Sequence, residues 1–180
     1  MKKTKKIKLS VVLAVRNEEE NITRCLDAIK GIADEIIIFD EYSTDKTVEI
    51  AKSFGAQVFQ VPHNDNFHIT KQKAIDRATG EWILQLDADE VVLPELAEEI
   101  KHIINSTDEE IKDRRLNNNK KWKLFQRHQK VVEEIYGKLG ENTGEFVAFF
   151  IPRRNMFLGK PLIYAGVYPD AVIRLIKNGK

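Results

Sequence analysis

From Ile7 to Leu93 the chain alternates four times between a short apolar run and a stretch whose apolar side chains recur at helical spacing. Apolar runs rich in β-branched residues suit strands covered on both faces, and amphipathic stretches between them suit the helices that cover them. Ile7 to Val15, IKLSVVLAV, predicts a central strand. Ile22, Cys25, Leu26 and Ile29 then share one helical face, with Asn17 and Glu20 as a capping pair ahead of them and Gly31 as the stop. Glu35 to Phe39 reads as a second strand ending at Asp40, and Thr47, Ile50, Ala51 and Phe54 mark a second helix closed by Gly55. Ala56 to Val61 is a third strand, followed by a short helix through Lys71, Ala74, Ile75 and Ala78 that ends at Gly80. Trp82 to Leu86 is the fourth strand. This order predicts an α/β fold, a mainly parallel twisted sheet flanked by helices, with its site at the carboxyl ends of the strands.

That topology brings three loops to one sheet edge: Arg16 to Glu18, Asp40 to Asp45, and Asp87 to Glu90. The last follows from EWILQLDADEVVL, a buried strand that delivers carboxylates to its own end. Buried carboxylates are costly unless paired or metal-bound, and hard oxygen donors suit Mg²⁺ or Mn²⁺, ions that usually travel with phosphates. A divalent metal holding a nucleoside diphosphate is therefore one reading. Loops that only keep strand ends solvated are the other, an explanation that serves one loop better than three. On the first reading Asp40 accepts from the N3–H of a uracil, Asp87 holds ribose hydroxyls and Asp89 binds the metal. A dinucleotide dehydrogenase needs a glycine-rich turn after its first strand, and AVRNEEEN has no glycine. The same lack argues against a sugar-phosphate nucleotidyltransferase. A phosphatase with a D-x-D nucleophile would carry that motif after the first strand, not the fourth.

At 180 residues with a formal net charge of +1, the chain is long enough for one well-cored domain and gives no reason to expect nucleic acid as a partner. The lysines at positions 2, 3, 5, 6 and 8 read as a solvated tail or as a peripheral contact with an anionic membrane. No run of about 18 apolar residues occurs and no apolar segment follows the lysines, so a cytoplasmic protein is expected, at most peripheral at the inner face of the membrane. The lone Cys25 excludes an internal disulfide and falls on a core stripe.

Beyond Pro94, the residues Leu96, Ile100, Ile103 and Ile104 predict an amphipathic helix. Asn105 to Lys121 is strongly polar and reads as a mobile surface segment. Trp122, Phe125, Val132, Tyr136 and Leu139 recur at helical spacing, so Lys121 to Leu139 reads as one long helix. Phe146 to Ile151 predicts a strand, and Leu162 to Val167 and Ala171 to Ile176 two more.

SVVLAVRNEEENITRCL, ADEIIIFDEYSTDKTVEIA and KAIDRATGEWILQLDADEVV, which together cover about half of the chain, resemble the family-2 glycosyltransferases with the A-type nucleotide-sugar-binding fold. The tail NMFLGKPLIYAGVYPDAVIRLIKNGK resembles the subgroup that adds sugars to lipopolysaccharide core or related glycans. The resemblance implies an inverting transfer of a sugar from a nucleoside-diphosphate sugar, a UDP-sugar above all, to a glycan or lipid-linked acceptor. Carried over by position, Ala14, Arg16 and Glu18 match the loop that lines base and ribose, and Asp40 the acid that recognises the base. Lys71 matches a basic position near the diphosphate, with a solvated helix lysine as the alternative. Asp87 and Asp89 match the D-x-D pair, Asp89 being the ligand of Mg²⁺ or Mn²⁺. Arg174 reads either as a contact to phosphate or acceptor or as a strand-edge arginine. The implied organisation is a nucleotide-sugar half over residues 7–104, a variable helical insertion over 105–144 and the start of an acceptor half over 145–180.

In similar proteins the acid that deprotonates the acceptor follows the RLIKNGK-type strand, and this sequence stops at Lys180. Asp170 and Glu145 lie nearby without matching that motif. The expectation is thus a fold truncated at its C-terminus, with the catalytic base beyond Lys180. The competing reading is a nucleotide-sugar-binding fragment without turnover.

Overall fold

The computed structural model describes residues 6–114, 123, 126, 129–131, 133–134, 137, 145–162 and 170–179. It divides into two compact units, Met1–Ile104 with Arg174–Lys180, and Asn105–Ile173.

The first unit runs β1 (Leu9–Val15), α1 (Ile22–Ile29), β2 (Glu35–Asp40), α2 (Thr47–Ser53), β3 (Gln57–Gln60), α3 (Phe67–Arg77), β4 (Trp82–Leu86) and α4 (Pro94–Ile104). These are the elements predicted from the alternation, in the predicted order. The sheet order is β3-β2-β1-β4, and all three pairings are parallel. The first unit also takes the second half, Arg174 to Lys177, of the last strand β8 (Asp170–Lys177), which pairs antiparallel with β4 through Ile83↔Ile176 and Leu84↔Leu175.

Every residue of β1 is buried, as expected of a central strand covered on both faces. Val12, Ile37, Phe39 and Ile83 meet Ala74 of α3 on one face, with Phe59 and Ile75 packed around them. In α1, Ile22, Cys25, Leu26 and Ile29 form the buried stripe. The register sets Val15 beside Asp40 and Leu13 beside Leu86, so the carboxyl ends of β1, β2 and β4 finish nearly level. At the opposite ends of these strands Glu35 is buried and accepts from Ser10 Oγ at 2.5 Å and Thr79 N at 3.0 Å, while Ser10 Oγ accepts from Gly80 N at 2.8 Å.

Three local expectations are corrected. Asn17 and Glu20 do not cap α1: the helix begins at Ile22, and Asn17, at φ 55°, turns its Oδ1 to Thr44 N at 2.8 Å in the neighbouring loop. The third helix starts at Phe67, one turn ahead of its apolar stripe, because Asn66 Oδ1 caps it by accepting from His68 N at 3.1 Å. The polar segment after Asn105 contains a helix, α5 (Asp108–Arg114) in the second unit. Thr107 and Glu110 make a reciprocal capping box, with Thr107 N donating to Glu110 Oε2 at 2.8 Å and Glu110 N to Thr107 Oγ1 at 3.3 Å, and Ile111 is buried.

The second unit also holds β5 (Ala148–Arg153) and a hairpin of β6 (Met156–Phe157) and β7 (Lys160–Pro161), before β8 begins at Asp170. The hairpin was not anticipated from the sequence. The strand expected over Leu162 to Val167 falls almost wholly outside the described residues. So do Asn117 to Asn119 and the aromatic stripe Trp122, Phe125, Val132, Tyr136 and Leu139. No helix among the described residues is long and apolar enough to cross a membrane.

Candidate functional site

The loops after β1 and β2 are laced into one surface. Asn17 N donates to Ser43 Oγ at 2.8 Å, Glu18 N to Thr47 Oγ1 at 2.7 Å and Glu19 N to Asp45 Oδ2 at 3.1 Å. Lys46 N donates back to Glu19 Oε2 at 2.9 Å. Asp45 also accepts from Thr47 N and Oγ1; burial opposes its charge, the hydrogen bonds outweigh burial, and the carboxyl lies below its usual range. Arg16, the first residue past β1, is exposed, whereas Ala14 lies inside the strand and is buried rather than in the loop. Glu18 is half-buried and accepts from Asn21 Nδ2 at 2.9 Å.

Asp40 is fully buried, and its carboxylate accepts from Ser43 N at 3.0 Å, Ser43 Oγ at 2.5 Å and Gln60 Nε2 at 3.3 Å. The next residue, Glu41, is buried too, an acid that nothing in the local spelling singles out. Its Oε1 accepts from Thr70 Oγ1 at 2.6 Å and its Oε2 lies 2.6 Å from His63 Nδ1. Burial disfavours its charge; the bonds from Thr70 and His63 overcome that and hold the carboxyl below its ordinary value. Tyr42 follows at φ 51°, a left-handed conformation that favours glycine or asparagine, with its ring 56 % exposed beside this loop. The Y in DEYSTDKT was the only available signal.

After β4 the chain turns sharply. Glu90 N donates to Asp87 O at 3.0 Å, and Asp87 N donates to Glu90 Oε2 at 3.1 Å. Two of the turn's acids are neutralised from within the protein. Lys71 Nζ, reaching from α3, sits 2.5 Å from Asp87 Oδ1. Arg174, from β8, places one Nη2 at 2.7 Å from Asp87 Oδ2 and 2.6 Å from Glu90 Oε1, and its Nη1 on Gln85 Oε1. Burial opposes the charge of Asp87, and the two cations outweigh it, so its carboxyl lies below the usual range. Burial likewise works against the charge of Arg174, and Glu90 and Asp87 more than compensate, raising its pKa above the ordinary value. Beneath the turn, Cys25 Sγ lies 3.6 Å from Asp87 O. Its thiol is pushed up to about 12, by burial first and then by the charges of Glu90, Asp89 and Asp87.

Of the readings open for Lys71 and Arg174, the solvated helix lysine and the strand-edge arginine are both wrong: their side chains are only 17 % and 7 % exposed, and each is a counter-ion of the acidic turn. Counter-ions from the chain itself answer the cost of burying Asp87 and Glu90, so those acids require no metal. Asp89 differs. It is exposed at the crest of the turn and makes no ion pair among the described residues. No group of three or more His, Cys, Asp or Glu side chains among the described residues is arranged to hold a metal ion. One outward carboxylate does fit the way Mg²⁺ is usually held, by one or two carboxylates together with substrate phosphates and water. Two surface hollows, of about 250 Å³ beside Asp34 and Glu35 and about 510 Å³ beside Val92 and Pro94, have none of Arg16, Asp40, Asp87 or Asp89 in their lining.

In the second unit, Asp170 accepts from Arg153 Nη2 at 2.6 Å and Asn155 Nδ2 at 3.1 Å, and Glu145 is exposed.

An uncharacterized glycosyltransferase of Rickettsia prowazekii is 38 % identical over 103 residues, 57 % of this chain and 35 % of the relative. The SPbeta prophage-derived glycosyltransferase SunS of Bacillus subtilis is 41 % identical over 80 residues, 43 % of this chain and 19 % of SunS. The chain therefore spans about a third or less of the length of these curated relatives. Among solved structures, TarS 1-349 of S. aureus in complex with UDP is similar at 25 % identity and a TM-score of 0.49, over 55 % of this chain and 32 % of that one. Glucosyl-3-phosphoglycerate synthase of Mycobacterium tuberculosis, in complex with Mn²⁺, UDP and glucosyl-3-phosphoglycerate, matches 46 % of this chain and 33 % of its own at 28 % identity and a TM-score of 0.41. The family model for glycosyl transferase family 2 matches residues 10–164, from the second residue of β1 past the acidic turn and the hairpin, and the chain belongs to that family.

Proposed function

We propose that the carboxyl ends of β1, β2 and β4 hold a nucleoside-diphosphate sugar, a UDP-sugar, and that the protein transfers its sugar with inversion to a hydroxyl of a glycan or lipid-linked acceptor. The observation that carries this reading is the turn Asp87–Glu90, in which Arg174 and Lys71 fix two carboxylates and leave Asp89 directed outward. In this reading Asp89 is the protein ligand of Mg²⁺ or Mn²⁺, which when bound would offset charge on the diphosphate leaving group. Lys71 lies at the same turn, positioned to share its charge between Asp87 and a diphosphate. Arg16 and Glu18 line the base and ribose with the backbone of Ala14 and Asp87 is near ribose; Asp40, expected to accept from a uracil N3–H directly, is buried and held by Ser43 and Gln60, so in this reading it acts on the base through the Ser43 loop it anchors. Tyr42 presents an exposed ring on which a base can stack. Residues 7–104 are the nucleotide-sugar half and 145–180 the beginning of the acceptor side, after the insertion at 105–144. The lipopolysaccharide-core resemblance of the tail supports an acceptor among envelope glycans, reached by a protein that is cytoplasmic or peripheral at the inner membrane face.

A second reading, donor binding without turnover, is favoured by Asp170, since the Arg153 and Asn155 contacts compete with any role as a base.

Calorimetry with UDP-sugars and other nucleotide sugars, in Mn²⁺ and in EDTA, tests the donor assignment. Binding is expected to favour uridine and to weaken in EDTA, and Asp89→Ala should lose the metal-dependent part with an unchanged circular dichroism spectrum. Equal affinity in EDTA and manganese defeats the metal role, and indifference to the base defeats that of Asp40. Sugar transfer to glycan and lipid-linked acceptors at saturating donor separates the two readings.

A further inference from the structure

The hairpin β6–β7 turns on Leu158 and Gly159, with φ 48° and 75°. Met156 pairs with Pro161 and Phe157 with Lys160, and Leu162 N donates to Asn155 O at 2.8 Å to close the base. Positive φ at both central residues is the two-residue hairpin turn that asparagine and glycine favour. Leucine gains nothing from that conformation, because its Cβ crowds the backbone there. Its side chain is nevertheless 87 % exposed, and the adjoining Phe157 and Met156 are 63 % and 57 % exposed. Three large apolar side chains at this turn are thus exposed instead of entering a core.

The charge carried by the hairpin itself is one-sided. From Arg153 to Leu162 the sequence RRNMFLGKPL contains three cations and no acid. Arg153 is engaged with Asp170 at the hairpin base, while Arg154 and Lys160 are exposed on either side of the apolar tip. An apolar tip flanked by cations matches a lipid interface: aliphatic and aromatic groups enter the acyl boundary while the cations stay among anionic headgroups. A groove on a partner protein would suit the apolar residues but supplies no reason for the cations.

We infer that the hairpin Asn155 to Leu162 is an interfacial anchor that inserts Met156, Phe157 and Leu158 into an anionic lipid bilayer. The inference is independent of the nucleotide-sugar reading: it concerns a surface of the second unit and holds or fails whatever the first unit binds.

Flotation of the full 180-residue chain with phosphatidylcholine vesicles, with and without phosphatidylglycerol, tests it. Binding is expected to the anionic vesicles and to weaken with salt. The double substitution Phe157→Ser with Leu158→Asn should lower partitioning at least about ten-fold; asparagine suits the positive φ, so the hairpin and the thermal midpoint should survive. Arg154→Gln with Lys160→Gln should cost roughly five-fold per removed charge. A Phe157→Trp variant should shift its emission to the blue and be quenched by brominated lipid. Absent binding overturns the proposal. So does binding that the double substitution leaves intact, which would assign it to the N-terminal lysines, or an unquenched tryptophan, which would leave the tip free for a protein partner.

Discussion

Replacing Arg174 with methionine keeps most of the side-chain volume on β8 and removes a cation that touches both Asp87 and Glu90. In the native protein Arg174 is 7 % exposed and its partners 27 % and 19 %, so the arginine is shielded from water and the two acids partly so. Removing one partner of a buried ion pair typically costs about 3–5 kcal/mol, because the remaining charge is stranded. Here Lys71 still holds Asp87 Oδ1 and the acids keep some solvent contact, so the lower end, about 3 kcal/mol at pH 7, is expected. For a domain of this size that is a fall of roughly 6–12 °C in thermal midpoint. The pH dependence is the sharper test. In the wild type the lowered carboxyl of Asp87 contributes stability that is fully present above its unfolded value, near 4, and is lost as pH falls through its lower folded value. Without Arg174 the carboxyl of Asp87 loses one of the two cations that hold it down and moves upward, so the gap between variant and wild type should narrow as pH drops from 7 towards 4. Urea unfolding across that range measures it, and Arg174→Met combined with Asp87→Asn and Glu90→Gln should recover part of the loss at pH 7. A variant within about 0.5 kcal/mol of wild type at pH 7, the range of an ordinary surface change, or a penalty indifferent to pH, would refute the reasoning.

Gly80→Ala tests the other end of the sheet. A Cβ at that position meets Ser10 N at 2.7 Å and Ser10 Oγ at 2.8 Å, so backbone must shift, and a loss of about 1–3 kcal/mol in chemical denaturation is expected with donor affinity unaffected. Cys25 has no exposed surface and a thiol pushed up to about 12, so it should resist a disulfide reagent at pH 8 in the native protein and react stoichiometrically once unfolded. Rapid labelling of the native form would contradict its burial beneath the acidic turn.

The alternation of apolar runs with helical stripes was enough to determine the parallel core, because strand and helix periods are local properties of sequence and the handedness of crossovers leaves few topologies. It also determined that Arg16, Asp40 and Asp87 reach one edge, since a parallel strand leaves its last residue on the same side as its neighbours'. The capping box of Thr107 and Glu110 was legible as well, in the spelling T-D-E-E, although polarity alone suggested a mobile segment. What the acids do at that edge was decided only by tertiary structure. Asp87 meets an arginine 87 positions later because β8 enters beside β4 in an antiparallel register, and no local period reports a pairing between segments so far apart. Glu41 is one residue from Asp40 and looks equally solvent-bound in sequence, yet helix α3 brings Thr70 over it and makes it a buried, hydrogen-bonded charge. Spacing along the chain places carboxylates at strand ends; which of them stays free for a ligand depends on the counter-ions that folding delivers, and here those reach Asp87 and Glu90 and leave Asp89 outward.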